Sequence, residues 1–437
     1  MTLAAALPPS ARRVAVIGAG WAGLAAAVTL VQRGARATVF ESSRHLGGRA
    51  RRVTVGGLDL DNGQHILIGA YGETLRLLRA VGVDPAEAFL RLPLELRSTS
   101  GFRMRAAPLP APLHLVAGLL GATGITLAER LAGIRLIASH RRRGYRLDED
   151  ASVSEWLERN RQSSRIREAL WQPLCTAALN TPVRLASARV FLSVLRDTIE
   201  GGRGASDLLL PRVDLTNLFP QPAARLVEAR GGELRVGAAV RSIARTPAGL
   251  SLDGGDERFT RVIIACAPQH AAAVLSSISG LETLGRRLAQ LESEPIYTCY
   301  LQYPGAAALP FPMLGFHRGL AQWVFDRGAL SGHRGLIACV LSGSGAHESL
   351  PQEELAKALH AELAHAVPGL ATPEWSRVIA EKRATFSCRP ALERPGNATP
   401  IPDVFLAGDY KHPKYPATLE STVRSGVAAA GLALAGP

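Results

Sequence analysis

The chain has 437 residues, 47% of them hydrophobic, 20% charged and 5% aromatic, with a formal net charge of +13. That length exceeds one typical core, so two domains or one elaborated domain are expected. The basic residues are scattered and nearly all arginine, and the aromatics lack stacking-motif spacing, which argues against a nucleic-acid partner and leaves an attraction to anionic surfaces such as phospholipid headgroups.

Val14–Ile17 reads as a strand, Gly18-x-Gly20-x-x-Gly23 as a turn that opens a helix, and Ala37–Phe40 as a second strand ending at Glu41. Each part has a job in holding a dinucleotide. Gly18 permits the tight turn, Gly20 lets backbone approach a pyrophosphate, and Gly23 lets the helix pack on the strand. The helix start at Trp21, Ala22 and Gly23 offers unpaired N–H groups and a partial positive charge. Glu41 sits about 20 residues on, where a carboxylate accepts from an adenosine ribose and favours a cofactor without a 2′-phosphate.

Arg52–Val55 then reads as a short strand, Gly56–Gly57 as a turn, and a helix follows with Tyr71, Leu75, Leu78 and Val81 on one face. Three prolines at 108, 110 and 112 introduce an uncharged run, Leu113–Ala128, followed by Arg130, Arg135 and Arg141–Arg143. At about 16 residues, broken by glycines, the run is short for a span, and no transmembrane helix is predicted. A buried core helix and a monotopic membrane-contacting element remain open. Residues 152–200 read as helices with Trp156, Ile166, Leu170 and Leu174 inward.

From 206 to 290 the pattern returns to α/β: a helix over about 216–230, Glu233–Val236 as a strand, two more apolar strands, and Val262–Ala267 closing the unit. Tyr297–Tyr303, Ala321–Asp326 and Gly335–Ser342 read as antiparallel strands. An amphipathic helix over about 351–366 and a strand at Val378–Ser387 follow; Val404–Asp409 is a strand ending in Gly-Asp, and a last helix covers about Thr418–Leu434. Five cysteines, at 175, 266, 299, 339 and 388, are far apart and never CxxC, which argues against a disulfide framework or a zinc site and for a reducing compartment. No basic stretch precedes an apolar core at the N-terminus, so no signal peptide is expected.

The glycine fingerprint with Glu41, Gly47-Gly48-Arg49, Ala267-Pro268 and Phe405-Leu-Ala-Gly-Asp409 together resemble the flavin amine oxidase and carotenoid (phytoene) desaturase superfamily. The stretches Asp61–Tyr71 and Tyr415–Ser421, with Arg424-Ser-Gly426, resemble more closely the hydroxysqualene dehydroxylase family of bacterial hopanoid biosynthesis. The resemblance covers nearly the whole chain. It implies an α/β fold: a Rossmann-like FAD-binding domain of the amine oxidase/glutathione reductase type from 1–82, 206–290 and 388–437, and a mixed α+β substrate domain from 83–205 and 291–387. It also implies FAD as cofactor and reduction of hydroxysqualene to squalene by reduced flavin, with loss of water.

On that resemblance, Gly48 brings backbone to the cofactor and Arg49 pairs with a phosphate. Val240 holds the adenine, Gly408 and Asp409 meet the ribityl–phosphate portion, and Thr418 and Leu419 aim the last helix at the flavin ring. Hydroxide is a poor leaving group, so an acid is needed. The candidates are His65 first, then Asp61, Tyr415 and Glu420. Aromatic faces such as Tyr71 or Tyr415 could stabilise an allylic cation. The implied partners are a long apolar isoprenoid, an anionic membrane surface on the inner face of the plasma membrane reached through 108–146, and an electron donor for which no second nucleotide fingerprint appears. Two other readings stay open: a carotenoid-type desaturase running oxidatively on phytoene or dehydrosqualene, and a non-catalytic flavin-containing lipid-binding protein.

Overall fold

The structure, a computed structural model, describes residues 12–305, 307–411 and 414–435. The N-terminal stretch read above for a leader lies outside these residues. Among the described residues, ten strands build two large sheets: β1 (Arg13–Ile17), β2 (Arg36–Glu41), β3 (Glu233–Val236), β4 (Arg261–Ile264), β5 (Ser293–Gln302), β6 (Met313–Gly315), β7 (Trp323–Asp326), β8 (Leu336–Ser342), β9 (Trp375–Phe386) and β10 (Val404–Leu406). Five helices matter below: α1 (Trp21–Gln32), α2 (Leu113–Leu120), α3 (Leu127–Arg142), α4 (Ala188–Glu200) and α5 (Leu419–Ala435).

The first sheet is wholly parallel, in the order β3-β2-β1-β4-β10. Its central strands are continuous apolar runs because helices cover both faces. Val14, Ala15 and Val16 are fully buried, and Val16 pairs with Val39 on one side and Ile263 on the other. Strands from the start, middle and end of the chain therefore meet in one sheet. α1 is buried from Trp21 to Val31, and its alanine-rich surface lets α5 come unusually close. A Cβ built on Gly426 would stand 2.2 Å from Ala22 O.

The second sheet is antiparallel, in the order β6-β7-β8-β5-β9. β9 carries residues back toward the first sheet, and β10 then enters it. The expected strand Val404–Asp409 stops at Leu406, because Gly408 takes φ +154° and Asp409–Lys411 make a 3-10 turn. The helix expected over 216–230 is two pieces, Leu215–Leu218 and Pro220–Ala229, broken where Phe219 leaves helical geometry ahead of Pro220. A three-stranded sheet of Leu67–Ile68, Leu208–Pro211 and Phe89–Leu92 was not foreseen. Its pairings join segments more than a hundred residues apart, which no local pattern announces.

The uncharged run divides as well. α2 ends at Gly121, and α3 starts from a Thr126–Glu129 capping box. No helix among the described residues is long and apolar enough to cross a membrane.

Candidate active site

The turn between β1 and α1 carries the local chemistry of the first glycines. Gly18 has φ +108°, and a Cβ there would press on Ala265 O at 3.0 Å. A Cβ on Gly23 would stand 1.8 Å from Gly18 O, so only glycine lets α1 seat on the turn. Gly20 differs: the nearest atom to a Cβ there is Gly48 Cα, at 4.0 Å. Gly48, at φ +61°, lies close beside it: a Cβ on Gly48 would stand 3.4 Å from Gly20 Cα. Two bare backbones thus flank a slot at the N-terminus of α1, where N–H groups and the helix dipole favour an anion. Trp21 is not exposed to that slot through its indole, which donates to Ala50 O at 3.0 Å; Ala22 follows it in the first turn.

Glu41, at the end of β2, accepts from Ala19 N (2.7 Å) and Ser43 N (2.8 Å). Ala238 N donates to Glu41 O at 2.8 Å, which brings the segment carrying Val240 alongside. At the other end of the slot, Arg49 meets an arrangement different from the expected phosphate pair. Its Nη2 donates to Asp409 Oδ1 (2.8 Å) and its Nη1 to Ala384 O on β9 (2.7 Å). Arg49 therefore fastens the glycine loop to the C-terminal Gly-Asp turn and to the second sheet. Gly408 N donates to Ser425 Oγ on α5 at 3.0 Å. Thr418 N–H turns onto Pro416 O at 2.9 Å, so Leu419, the first residue of α5, offers the first outward helical N–H.

From this slot runs a cavity of about 1280 Å³. Gly18, Gly20, Glu41, Gly48, Val240, Asp409, Thr418 and Leu419 line one end. The other end is apolar, walled by side chains such as Leu170, Trp171, Leu195 and Phe325. Leu115, Leu119, Ile134 and Ile137 of α2 and α3 also line it. The same two helices turn leucines outward: Leu113 is 55% exposed, Leu120 40%, Leu127 59% and Leu131 38%, with Leu109 at 40% just before them.

His65 lines the cavity. Its Nδ1 lies 2.9 Å from Gly63 O, and a carbonyl can only accept, so Nδ1 carries the proton. Nε2 is left as an acceptor, and burial lowers the pKa of the ring and keeps it neutral. Such an imidazole receives a hydroxyl proton more readily than it gives one.

The other three proposed acids stand outside the main cavity. Asp61 is buried, with Oδ1 accepting from Leu215 N at 2.7 Å and Oδ2 3.8 Å from Arg327 Nη2. Burial pushes its carboxyl up to about 7 against the pull of Arg327. Glu420 is saturated: Glu73 N (3.1 Å), Thr74 N (2.8 Å), Thr74 Oγ1 (2.7 Å) and Arg424 Nε (2.6 Å) all donate to it. It caps the helix Gly72–Ala80 from a distant part of the chain. Tyr415 packs under the Arg424 guanidinium, 4.7 Å from its ring centroid, beside a side pocket of about 20 Å³. Tyr71 borders both that pocket and the main cavity; burial and Glu420 raise its phenol, so it stays protonated. Cys266 also lines the cavity, and burial pushes its thiol up to about 12, which favours the protonated form. No group of His, Cys, Asp and Glu among the described residues is placed to hold a metal ion.

A parallel sheet with a glycine slot at its first helix, an acid after its second strand and an adjoining cavity with many apolar lining residues are the features of a dinucleotide-binding fold. Residues 21–434 match the family described as flavin containing amine oxidoreductase, and the chain belongs to it. It is an FAD-dependent oxidoreductase. The open backbone at Gly20 and Gly48, the helix start and Glu41 fit that cofactor. The chain is 28% identical to a hydroxysqualene dehydroxylase of Sinorhizobium fredii over 97% of its length and 98% of the relative's. It is 24% identical to a 15-cis-phytoene desaturase of Synechococcus elongatus, over 95% and 94%. Among solved structures, cyclohexylamine oxidase from Brevibacterium oxydans superposes with a TM-score of 0.66 at 19% identity, over 97% of this chain and 98% of that one.

Proposed function

We propose that the protein reduces hydroxysqualene to squalene, with loss of water. The observation that carries this reading is that one cavity is lined both by the glycine slot and by many apolar side chains. The name of the Sinorhizobium fredii relative supplies the substrate. In this reading Gly18, Gly20 and Gly23 seat the pyrophosphate, Glu41 and Val240 the adenosine, Gly408 and Asp409 the ribityl portion, and Leu419 N–H the ring. Bound FAD supplies the hydride when reduced. The protein's own part is to hold the chain, exclude water and place the hydroxyl. His65 Nε2 accepts from the substrate O–H and orients it. Tyr71 keeps its proton at neutral pH and donates it to the departing oxygen, and the adjoining water-sized pocket takes the water formed.

The outward leucines of α2 and α3 lie on helices that line the cavity, so the substrate passes from a lipid surface directly into the tunnel. α3 ends at Arg142 with Arg143 just beyond, and these exposed cations favour anionic headgroups at that depth; Arg141 is paired with Glu200 at 2.9 Å. Anaerobic incubation of the FAD-loaded protein with hydroxysqualene and dithionite tests the reaction. Squalene is the expected product. A new double bond formed by oxidised flavin on a polyene, with no squalene from the reduced enzyme, would replace this reading by desaturation, the activity named for the Synechococcus elongatus relative.

A further inference from the structure

Arg327 is 1% exposed, among the most buried side chains of the protein. It opens the short helix Arg327–Ser331 at the end of β7, where Asp326 Oδ1 caps Ala329 N at 3.0 Å. A buried guanidinium normally faces a carboxylate through both arms of its fork. This one does not. Its nearest carboxylate oxygen, Asp61 Oδ2, is 3.8 Å away, while Asp61 Oδ1 is held by Leu215 N. The short bond goes to a neutral amide: Arg327 Nη1 donates to Gln64 Oε1 at 2.6 Å. Arg327 Nε has no hydrogen-bond partner among the described residues.

Gln64 lies in the cavity-lining loop that also presents His65. Its Nε2 donates to His65 O at 3.1 Å. The other end of the loop is tied by Asn62, whose Nδ2 donates to Arg49 O (2.7 Å) and whose Oδ1 accepts from Arg51 N (3.1 Å). Between these two anchors, Gly63 O fixes the proton on His65 Nδ1. The loop is therefore pinned at one end to the dinucleotide-binding side and at the other to the second sheet.

We infer that Arg327 is a positioning residue for the substrate hydroxyl, acting through Gln64 to hold the Asn62–His65 loop so that His65 keeps Nε2 as its free acceptor. Asp61, 3.8 Å away and held by Leu215 N, is not the partner that orders the loop. The inference deepens the proposed dehydroxylation and rests on it only for its kinetic consequence, since the state of the imidazole can be read without any substrate.

The test uses the FAD-loaded full-length protein and four variants: Arg327→Met, Arg327→Lys, Gln64→Ala and the double variant Arg327→Met/Gln64→Ala. The readout is the imidazole ¹H–¹⁵N spectrum, with the His65 signals assigned by their loss in His65→Gln. The wild type should show one Nδ1–H tautomer, both Arg327→Met and Gln64→Ala an averaged imidazole, and Arg327→Lys an intermediate state. With hydroxysqualene, Arg327→Met and Gln64→Ala should each lower kcat about 10-fold or more while KM moves less than about 3-fold, Arg327→Lys should lose less, and the double variant should be no worse than the poorer single one.

A Gln64→Ala protein with the wild-type tautomer, or losses that add in the double variant, would overturn the inference. Should Arg327→Met fail to fold, Gln64→Ala and Arg327→Lys still decide it. If the wild type turns over no hydroxysqualene, the proposed reaction fails while the spectra continue to decide the role of Arg327.

Discussion

At the scale of single residues, the glycines separate two jobs that one motif hides. A Cβ at Gly20 would stand 4.0 Å from the nearest atom, Gly48 Cα, so Gly20→Ala should fold as the wild type does and place a methyl where a pyrophosphate would approach. Its circular dichroism melt should be unchanged, while FAD affinity, by fluorescence titration, falls about 100-fold or more. Gly23→Ala should instead fail to fold, because its Cβ would stand 1.8 Å from Gly18 O. Tyr71→Phe should slow turnover about 100-fold or more and leave FAD binding intact, as expected on removal of a proton donor.

Asp61 adds a pH dependence whose sign follows from burial. Its folded pKa of about 7 lies above the unfolded value of 3.8. Below about pH 4 both states hold the proton, and the folded form keeps the full benefit of a neutral carboxyl. As pH rises toward 7 the unfolded chain ionises first, and stability is lost. The unfolding free energy of the wild type from urea melts should therefore fall relative to that of Asp61→Asn across that window, by an amount on the order of a few kcal/mol; parallel pH dependences would contradict the assignment.

The glycine turn between β1 and α1 and the strand that ends at Glu41 were legible because their demands are local. The true partners of Arg49, Asp61 and Glu420 were not, since Asp409, Leu215 and Thr74 lie 360, 154 and 346 positions away. Arg327 carried no signal at all. An arginine after an apolar strand reads as a surface residue.

At the scale of elements, α1 and α5 form the joint on which both chain ends depend. Gly426→Leu would drive a side chain into Ala22 O, so it should lower the melting temperature and weaken FAD binding together. A drop in only one of the two would show that the joint and the slot are independent. The outward leucines of α2 and α3 make a different prediction. Leu113→Glu combined with Leu127→Glu places charge on two of the most exposed leucines without touching the tunnel wall. Recovery on anionic liposomes in flotation should fall sharply, with the flavin spectrum unchanged; equal recovery would refute lipid docking by this face. The uncharged run was visible in the sequence, but its division at Gly121 needed the Thr126 cap to restart the helix. Similarly, the break at Phe219 is written in Pro220 and was outweighed by the periodicity around it.

At the scale of the whole molecule, the chain folds as one parallel sheet assembled from three distant segments and one antiparallel sheet that closes the tunnel against it. The resemblance of the two ends and the middle to flavin enzymes made the α/β class legible. The antiparallel strands β5, β7 and β8 could be read from their own alternation. The course of the tunnel could not, because its walls come from helices, from β6–β8 and from the loop at His65, each contributing a few apolar faces that look like ordinary core. Nor could the staple from Arg49 to β9, which sets how the two sheets face each other.

The central claim is that one cavity holds FAD at its polar end and an isoprenoid chain at its apolar end. A crystal structure of the protein with FAD and squalene tests it most directly. The account predicts the pyrophosphate against Gly18–Gly20, the flavin ring between Leu419 and His65, and the hydrocarbon along Leu170, Trp171 and Phe325 with its far end toward α2 and α3. A flavin ring turned to solvent, or squalene bound on a surface separated from the ring by protein, would contradict it.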